Sequence, residues 1–252
     1  LLDEAAARSP ALTFHSFDGA SSRRSAADLA RAARRVATGL NERGVGRGDL
    51  VGILLPNSLD LLAIYFGVLR AGAALVPLSV PVGLRNLDAS LSRLRQIALA
   101  EGLSHVVTDG GFADLAAAAG LGVPILTPEV LASGEPRAAY PAVEPGDLAV
   151  VQYTSGSTMS PKGVALTHGQ VAAGVRATVL GGEMTGRDVY CLWLPLSHDM
   201  GLMSCLAHVM VGADIHLTTP TAFIKSPSRW LAYFASVGAT ISAGPNFSFQ
   251  YL

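Results

Sequence analysis

Tyr153-Thr154-Ser155-Gly156-Ser157-Thr158-Met159-Ser160-Pro161-Lys162-Gly163-Val164 is the stretch on which the reading of this chain turns. The apolar run Leu148 to Tyr153 before it predicts a buried strand, and the spacing of Gly169 to Val179 after it predicts a helix. Four hydroxyl side chains and one glycine fill the five residues Thr154 to Thr158. A short loop of this kind can wrap a phosphate group with backbone N–H donors and hydroxyls. Gly156 allows a close backbone approach and a positive φ, and Lys162 adds a compact positive charge for anionic oxygens. An ordinary Ser/Thr-rich surface loop has a similar composition. The Walker-type phosphate loop does not fit, because it needs Gly-Lys-Ser/Thr at its end and here the order is Lys162-Gly163-Val164.

Outward from this loop, short apolar runs alternate with helical patterns, the signature of an α/β fold with a largely parallel sheet flanked by helices. Ser25 reads as an N-cap, Leu29, Ala33, Val36, Ala37 and Leu40 recur at helical spacing, and Gly44 stands where a C-cap would. Strand Leu50 to Leu55, helix Leu59 to Arg70 and strand Ala73 to Leu78 follow. Helix Leu87 to Ala100, strand His105 to Thr108, helix Phe112 to Ala119 and strand Val123 to Leu126 repeat the pattern. Residues 128–146 are rich in Pro, Gly, Ala and Glu and read as a linker, which divides the chain into 1–146 and 147–252. Beyond the loop come strand Val189 to Leu194, helix Met200 to Met210, strand Asp214 to Leu217, helix Ser226 to Ser236 and strand Thr240 to Ala243. Asn246 to Leu252 reads as a helix just begun, which points to a truncated chain.

Half of the 252 residues are hydrophobic, 15% are charged, and the net charge is −1. That supports a sizeable core and gives no basic surplus for nucleic acid or an anionic membrane surface. The most apolar run, Leu59 to Leu69, is interrupted by Asp60 and falls short of the roughly 20 residues that cross a bilayer. The start, Leu1-Leu2-Asp3, shows no signal-peptide pattern. Cys191 and Cys205 form neither a disulfide framework nor a metal cluster, so a cytoplasmic setting is expected.

The loop resembles the signature of adenylate-forming enzymes, a superfamily of acyl-CoA synthetases, luciferases, peptide-synthetase adenylation domains and fatty acyl-AMP ligases. Its usual wording is close to Tyr-Thr-Ser-Gly-Ser-Thr-Gly-x-Pro-Lys-Gly-Val; Met159 stands where a glycine is common. Leu69 to Leu78 is similar to a second, structural motif of that superfamily. The resemblance implies that this chain is part of the large N-terminal domain, with mostly parallel sheets flanked by helices. It also implies that Thr154, Ser155, Gly156, Ser157, Thr158 and Lys162 hold the β- and γ-phosphates of ATP, and that Lys162 is catalytic.

Trp193-Leu194-Pro195-Leu196-Ser197-His198-Asp199-Met200-Gly201-Leu202 is the second informative stretch. In the superfamily this strand end faces the acyl-adenylate pocket. His198 could there donate a hydrogen bond to the carboxylate or the phosphate. Asp199 is a candidate for substrate binding, and equally a plain N-cap or N-terminal charge on the following helix. A Ser197-His198-Asp199 triad is excluded on the expectation that sequence neighbours at a helix start do not point at one another. The His-Asp-Met-Gly wording resembles fatty acyl-AMP ligases more than acyl-CoA synthetases, as do Pro220 to Leu231 and Thr240 to Phe247. Gly244, Pro245 and Asn246 would then line the acyl pocket, with Ala243 and Gly244 leaving room for an acyl chain. Gly244 also has a plain turn reading, and Asn246 reads as a helix cap.

The implied reaction joins a fatty or other carboxylic acid to AMP and passes the acyl group to the thiol of an acyl carrier protein or of coenzyme A. The alternatives are an acyl-CoA synthetase, an amino-acid adenylation domain, or a non-catalytic acyl- or partner-binding module. Mg²⁺ is expected, with its ligand outside this sequence. The superfamily's Gly-Tyr-Gly-x-Thr-Glu segment, ribose-binding Asp motif, hinge and small C-terminal domain with its catalytic Lys do not occur here. A chain ending at Leu252 is therefore expected to show no adenylation turnover.

Overall fold

The computed structural model describes residues 2–8, 10–17, 21–81, 87–154 and 162–252, with the backbone alone at 87 and 154. In chain order the strands are β1 (Ala11–Phe14), β2 (Ser22–Ser25), β3 (Leu50–Leu54), β4 (Ala74–Pro77), β5 (His105–Thr108), β6 (Ile125–Leu126), β7 (Leu148–Thr154), β8 (Lys162–Thr167), β9 (Val189–Leu192) and β10 (Asp214–Leu217). The helices are α1 (Leu2–Arg8), α2 (Ala26–Asn41), α3 (Leu59–Arg70), α4 (Leu87–Glu101), α5 (Gly110–Ala118), α6 (Pro128–Ala132), α7 (His168–Gly181), α8 (Asp199–Val211), α9 (Pro220–Lys225), α10 (Pro227–Ser236) and α11 (Asn246–Tyr251). They fall into two compact units. One comprises 1–30, 56–59 and 172–252; the other comprises 31–55 and 60–171.

The second of these units is built on a six-stranded sheet of order β6-β5-β3-β4-β7-β8. Its five strands from β6 to β7 pair in parallel, and β8 alone returns antiparallel against β7. The apolar runs of β3, β4 and β5 suit strands covered on both faces. Leu54, Val76, Val106 and Val151 pack there with Leu94, Ile97 and Ala98 of α4 and Ala116 of α5. Residues 128–146, expected as a linker, are strapped onto α2 instead. A Cβ on Gly39 would lie 2.7 Å from the Leu131 carbonyl oxygen, and one on Gly134 would lie 2.6 Å from that of Arg35. Both glycines therefore permit a backbone approach that no other residue allows. The Tyr140 hydroxyl donates to the Arg34 carbonyl at 2.9 Å, and the Arg70 guanidinium sits 5.5 Å from the centre of the Tyr140 ring.

The other unit carries a four-stranded sheet of order β2-β1-β10-β9. β1 runs parallel to β10, with Leu12 opposite Ile215, and β10 runs parallel to β9, with Ile215 opposite Tyr190. The division expected at 146/147 is thus not where the chain separates, because strand pairing assigns the N-terminal segment to the sheet of the C-terminal one. Ser25 caps α2 as expected: its Oγ accepts from Asp28 N at 3.1 Å, and Asp28 Oδ2 accepts from Ser25 N at 3.3 Å, a reciprocal capping box. The strand expected at Thr240 to Ala243 reduces to a single bridge between Tyr190 and Ile241. Among the described residues, no helix is long and apolar enough to cross a membrane. Cys191 and Cys205 are free and buried, and burial pushes both thiols up to about 12.

Candidate functional site

Ser155, Gly156, Ser157 and Thr158, together with Met159, lie outside the described residues, as does the side chain of Thr154. The root of their loop is described. Thr154 and Lys162 are partners across the β7–β8 ladder, and Tyr153 stands opposite Gly163. The loop therefore joins two antiparallel strands. This corrects the strand-to-helix reading, since the helix that follows begins only at His168, beyond β8. β8 thus stands between this segment and the N-terminus of α7, where the partial charge of that helix acts. Lys162 is exposed, so its charge is available to a ligand.

One side-chain pair braces this root. The Tyr153 hydroxyl donates to Glu101 Oε1 at the end of α4. Burial, and then the neighbouring carboxylate, pushes the Tyr153 phenol well above its ordinary value, so it stays a donor. Gly163 makes the room: a Cβ there would lie 2.9 Å from Val151 Cγ1, 3.2 Å from Glu101 Oε1 and 3.3 Å from Tyr153 Cζ.

In the other unit, His198 and Asp199 stand just past the C-terminal end of β9, the edge at which parallel sheets carry their sites. Pro195 to His198 forms a turn closed by His198 N donating to the Pro195 carbonyl at 3.1 Å. His198 is the N-cap of α8 and makes no side-chain capping bond, so the expected cap at Asp199 is displaced by one residue. Asp199 Oδ1 accepts from Met200 N at 2.7 Å and lies 2.5 Å from His198 Nδ1. The expectation that these neighbours cannot meet is overturned, because the turn brings the imidazole back over the first helical residue. Both side chains are exposed, at 60% and 67%, and the imidazole can present its other nitrogen outward. Gly201 makes the tight join possible: a Cβ there would lie 2.3 Å from the Pro195 carbonyl oxygen.

Gly244, Pro245 and Asn246 pack near the same strand end. Above Gly244, a Cβ would meet Ser248 Oγ at 2.5 Å and Trp193 Cζ2 at 3.4 Å, so the chain's own Ser248 and Trp193 occupy that space. Trp193 is buried and stacks on Phe223 at 4.0 Å, with the exposed Phe247 edge-on at 6.3 Å. Asn246 is the first residue of α11 and does not cap it; Pro245 holds that position and accepts from Ser248 N at 2.9 Å.

A residue that the sequence reading passed over organises the His198 turn. Asn57 is only 4% exposed. Its Nδ2 donates to the Leu194 carbonyl at 2.8 Å and the Thr218 carbonyl at 3.0 Å, and its Oδ1 accepts from Leu196 N at 2.9 Å. The signal was present: a lone amide between the buried run ending at Leu55 and the apolar helix starting at Leu59. Among the described residues, no group of three or more His, Cys, Asp or Glu could hold a metal.

The comparisons with known proteins accord with this arrangement. The model of the AMP-binding enzyme family matches residues 2–252. The chain is 34% identical over 226 residues to the long-chain-fatty-acid–AMP ligase FadD23 of Mycobacterium tuberculosis, covering 81% of this chain and 36% of that protein. It is 36% identical over 218 residues to a 4-hydroxyphenylalkanoate adenylyltransferase of the same species, covering 81% and 34%. The chain thus spans about a third of the length of these curated relatives. Among solved structures, a fatty acyl-adenylate ligase from a study of the E. coli and L. pneumophila enzymes superposes with a TM-score of 0.93 at 27% identity, covering 100% of this chain and 46% of that one. The adenylation domain of a keto acid-selecting peptide-synthetase module bound to keto acyl adenylate superposes with a TM-score of 0.91 at 27% identity, covering 99% and 48%.

Proposed function

The chain belongs to the AMP-binding enzyme family, and from that premise we propose that the complete protein activates a fatty or related carboxylic acid to its acyl-adenylate. The substrate carboxylate attacks the α-phosphorus of ATP, the bond to the bridging oxygen breaks, and pyrophosphate leaves. The protein supplies no nucleophile to this step; it supplies positioning and charge neutralisation. The observation that carries the reading is the hairpin root, where the exposed Lys162 closes the hydroxyl-rich turn directly opposite Thr154. Thr154, Ser155, Gly156, Ser157 and Thr158 cradle the β- and γ-phosphates in this proposal, and Lys162 neutralises charge that builds on the departing pyrophosphate.

His198 donates from its outward nitrogen to the substrate carboxylate or the phosphate, with Asp199 orienting the ring. Gly244, Pro245 and Asn246 border the acyl group. Mg²⁺ bound with ATP would screen the phosphate charges in this proposal. The fatty acyl-AMP ligases among the relatives support a fatty acid as the substrate; a carrier-protein thiol as the next acceptor is part of the same proposal. A cytoplasmic setting belongs to the same proposal.

The test is pyrophosphate release by the complete protein given ATP and a series of fatty acids, followed by offering either a phosphopantetheinylated carrier protein or coenzyme A. Release that depends on the fatty acid and falls with Lys162→Ala supports the reading. Adenylate binding by calorimetry without any release favours a binding module instead.

A further inference from the structure

We propose that Asn57 is a positioning residue for acid activation, acting through His198 by fixing the backbone of the turn that carries it; this rests on the role given to His198 above. Pairing between the ends of β9 and β10 continues one step past the strands, where Thr218 N donates to the Leu192 carbonyl at 2.8 Å. Beyond that point the Asn57 amide stands in for a peptide group between the two segments. Its two N–H bonds serve Leu194 and Thr218, and its oxygen serves Leu196. Two carbonyls face Nδ2 and one N–H faces Oδ1, so the orientation of the amide is fixed by its partners.

The consequences run in one direction along the chain. Asn57 fixes Leu194 and Leu196; the intervening Pro195 carbonyl accepts from His198 N at 3.1 Å, and the His198 carbonyl accepts from Leu202 N at 2.9 Å. The backbone from Leu194 to Leu202 is thereby defined bond by bond, with Gly201 tucked against Pro195. His198 itself is exposed and, among the described residues, its ring pairs with Asp199 alone, so its placement derives from the backbone beneath it. A buried residue that supplies two donors and one acceptor in one plane is what that backbone requires. Serine or threonine has one donor, and aspartate at neutral pH has none.

The experiment is a double-mutant cycle in the complete protein, with Asn57→Ala, His198→Ala and the pair, following kcat, the KM for ATP, the KM for the acid, and the melting temperature. We expect Asn57→Ala to lower kcat about tenfold, a loss comparable to one misplaced transition-state donor, while the ATP KM moves less than about twofold. In the His198→Ala background the same substitution should cost less than about twofold. If the two losses multiply, Asn57 does not act through His198 and the inference fails while the reading of His198 stands. If His198→Ala leaves kcat unchanged, the reading of His198 fails and the inference with it. Should Asn57→Ala not fold, Asn57→Asp, which keeps the acceptor for Leu196 N, takes its place in the cycle. Failure of both to fold would make Asn57 a structural residue only and overturn the proposal.

Discussion

Asn57 is 4% exposed and holds the His198 turn through three bonds to backbone atoms, whereas the hairpin root bearing Lys162 is braced between two half-buried side chains, Tyr153 and Glu101. The first arrangement fixes peptide groups and therefore fixes whatever the next few residues carry. The second steadies a strand end through one contact between side chains. A group that must meet a reacting atom at a set angle benefits from the former. A charge that must follow a triphosphate tolerates the latter, since Coulomb attraction varies slowly with distance.

The sharpest way to separate the two regions is to remove the charge. Lys162→Ala should lower adenylation by about 100-fold, within the range seen when one preorganised electrostatic group is removed. Its melting temperature should stay unchanged, because the side chain is exposed; pyrophosphate release and calorimetric scanning on the same preparation check both halves.

Gly201→Ala breaks the other region by backbone collision, since the new Cβ would lie 2.3 Å from the Pro195 carbonyl oxygen. A loss of about 1–3 kcal/mol is expected, read as a lower urea midpoint. Tyr153→Phe removes only the donor to Glu101 and should cost about 1 kcal/mol by the same measurement. A Tyr153→Phe loss larger than that of Gly201→Ala would reverse the comparison.

The smallest effect concerns pH and the unit that holds the His198 turn. His208 in α8 is fully buried and stacked on Tyr190 at 3.8 Å, and its Nδ1 meets the Ser204 carbonyl at 2.8 Å. Burial holds its pKa below the ordinary 6.5, against smaller opposing effects of the Ser204 carbonyl and Asp188. The unfolded chain therefore takes up the proton first on acidification. Stability is full above about 6.5 and is lost as pH falls from there through the folded-state value. His208→Phe keeps the stacked ring and should flatten that part of the stability profile, measured by urea unfolding between pH 7 and 5.

Much of the α/β alternation was legible because buried strands and their helices write their periods into the sequence. Leu50 to Leu54 and Leu59 to Arg70 are long apolar runs with clear ends, and the Ser25 cap announces α2. β2 was not legible: Ser22-Arg23-Arg24-Ser25 has no apolar alternation and is a strand because β1 pairs with it. β8 was hidden by a motif, since a loop reading that runs to Val164 absorbs its first residues. Of the site, the residue types at Lys162, His198 and Asp199 could be read, but the contact between His198 and Asp199 depends on a turn. A lone amide between two buried runs marks Asn57, but its role was missed because its three partners lie 137, 161 and 139 positions away.

The pairing of β1 with β10 has a consequence for how the protein is made. Ala11 donates to Asp214, 203 positions later. At ~5–20 residues per second, the ribosome needs about 10–40 s to bring the second partner out after the first. Throughout that time β1 lacks the strand it rests on, whereas the last member of the six-stranded sheet, β8, ends at Thr167, before β10 begins at Asp214. The N-terminal hairpin is therefore the stretch of this nascent chain with the longest need of a chaperone.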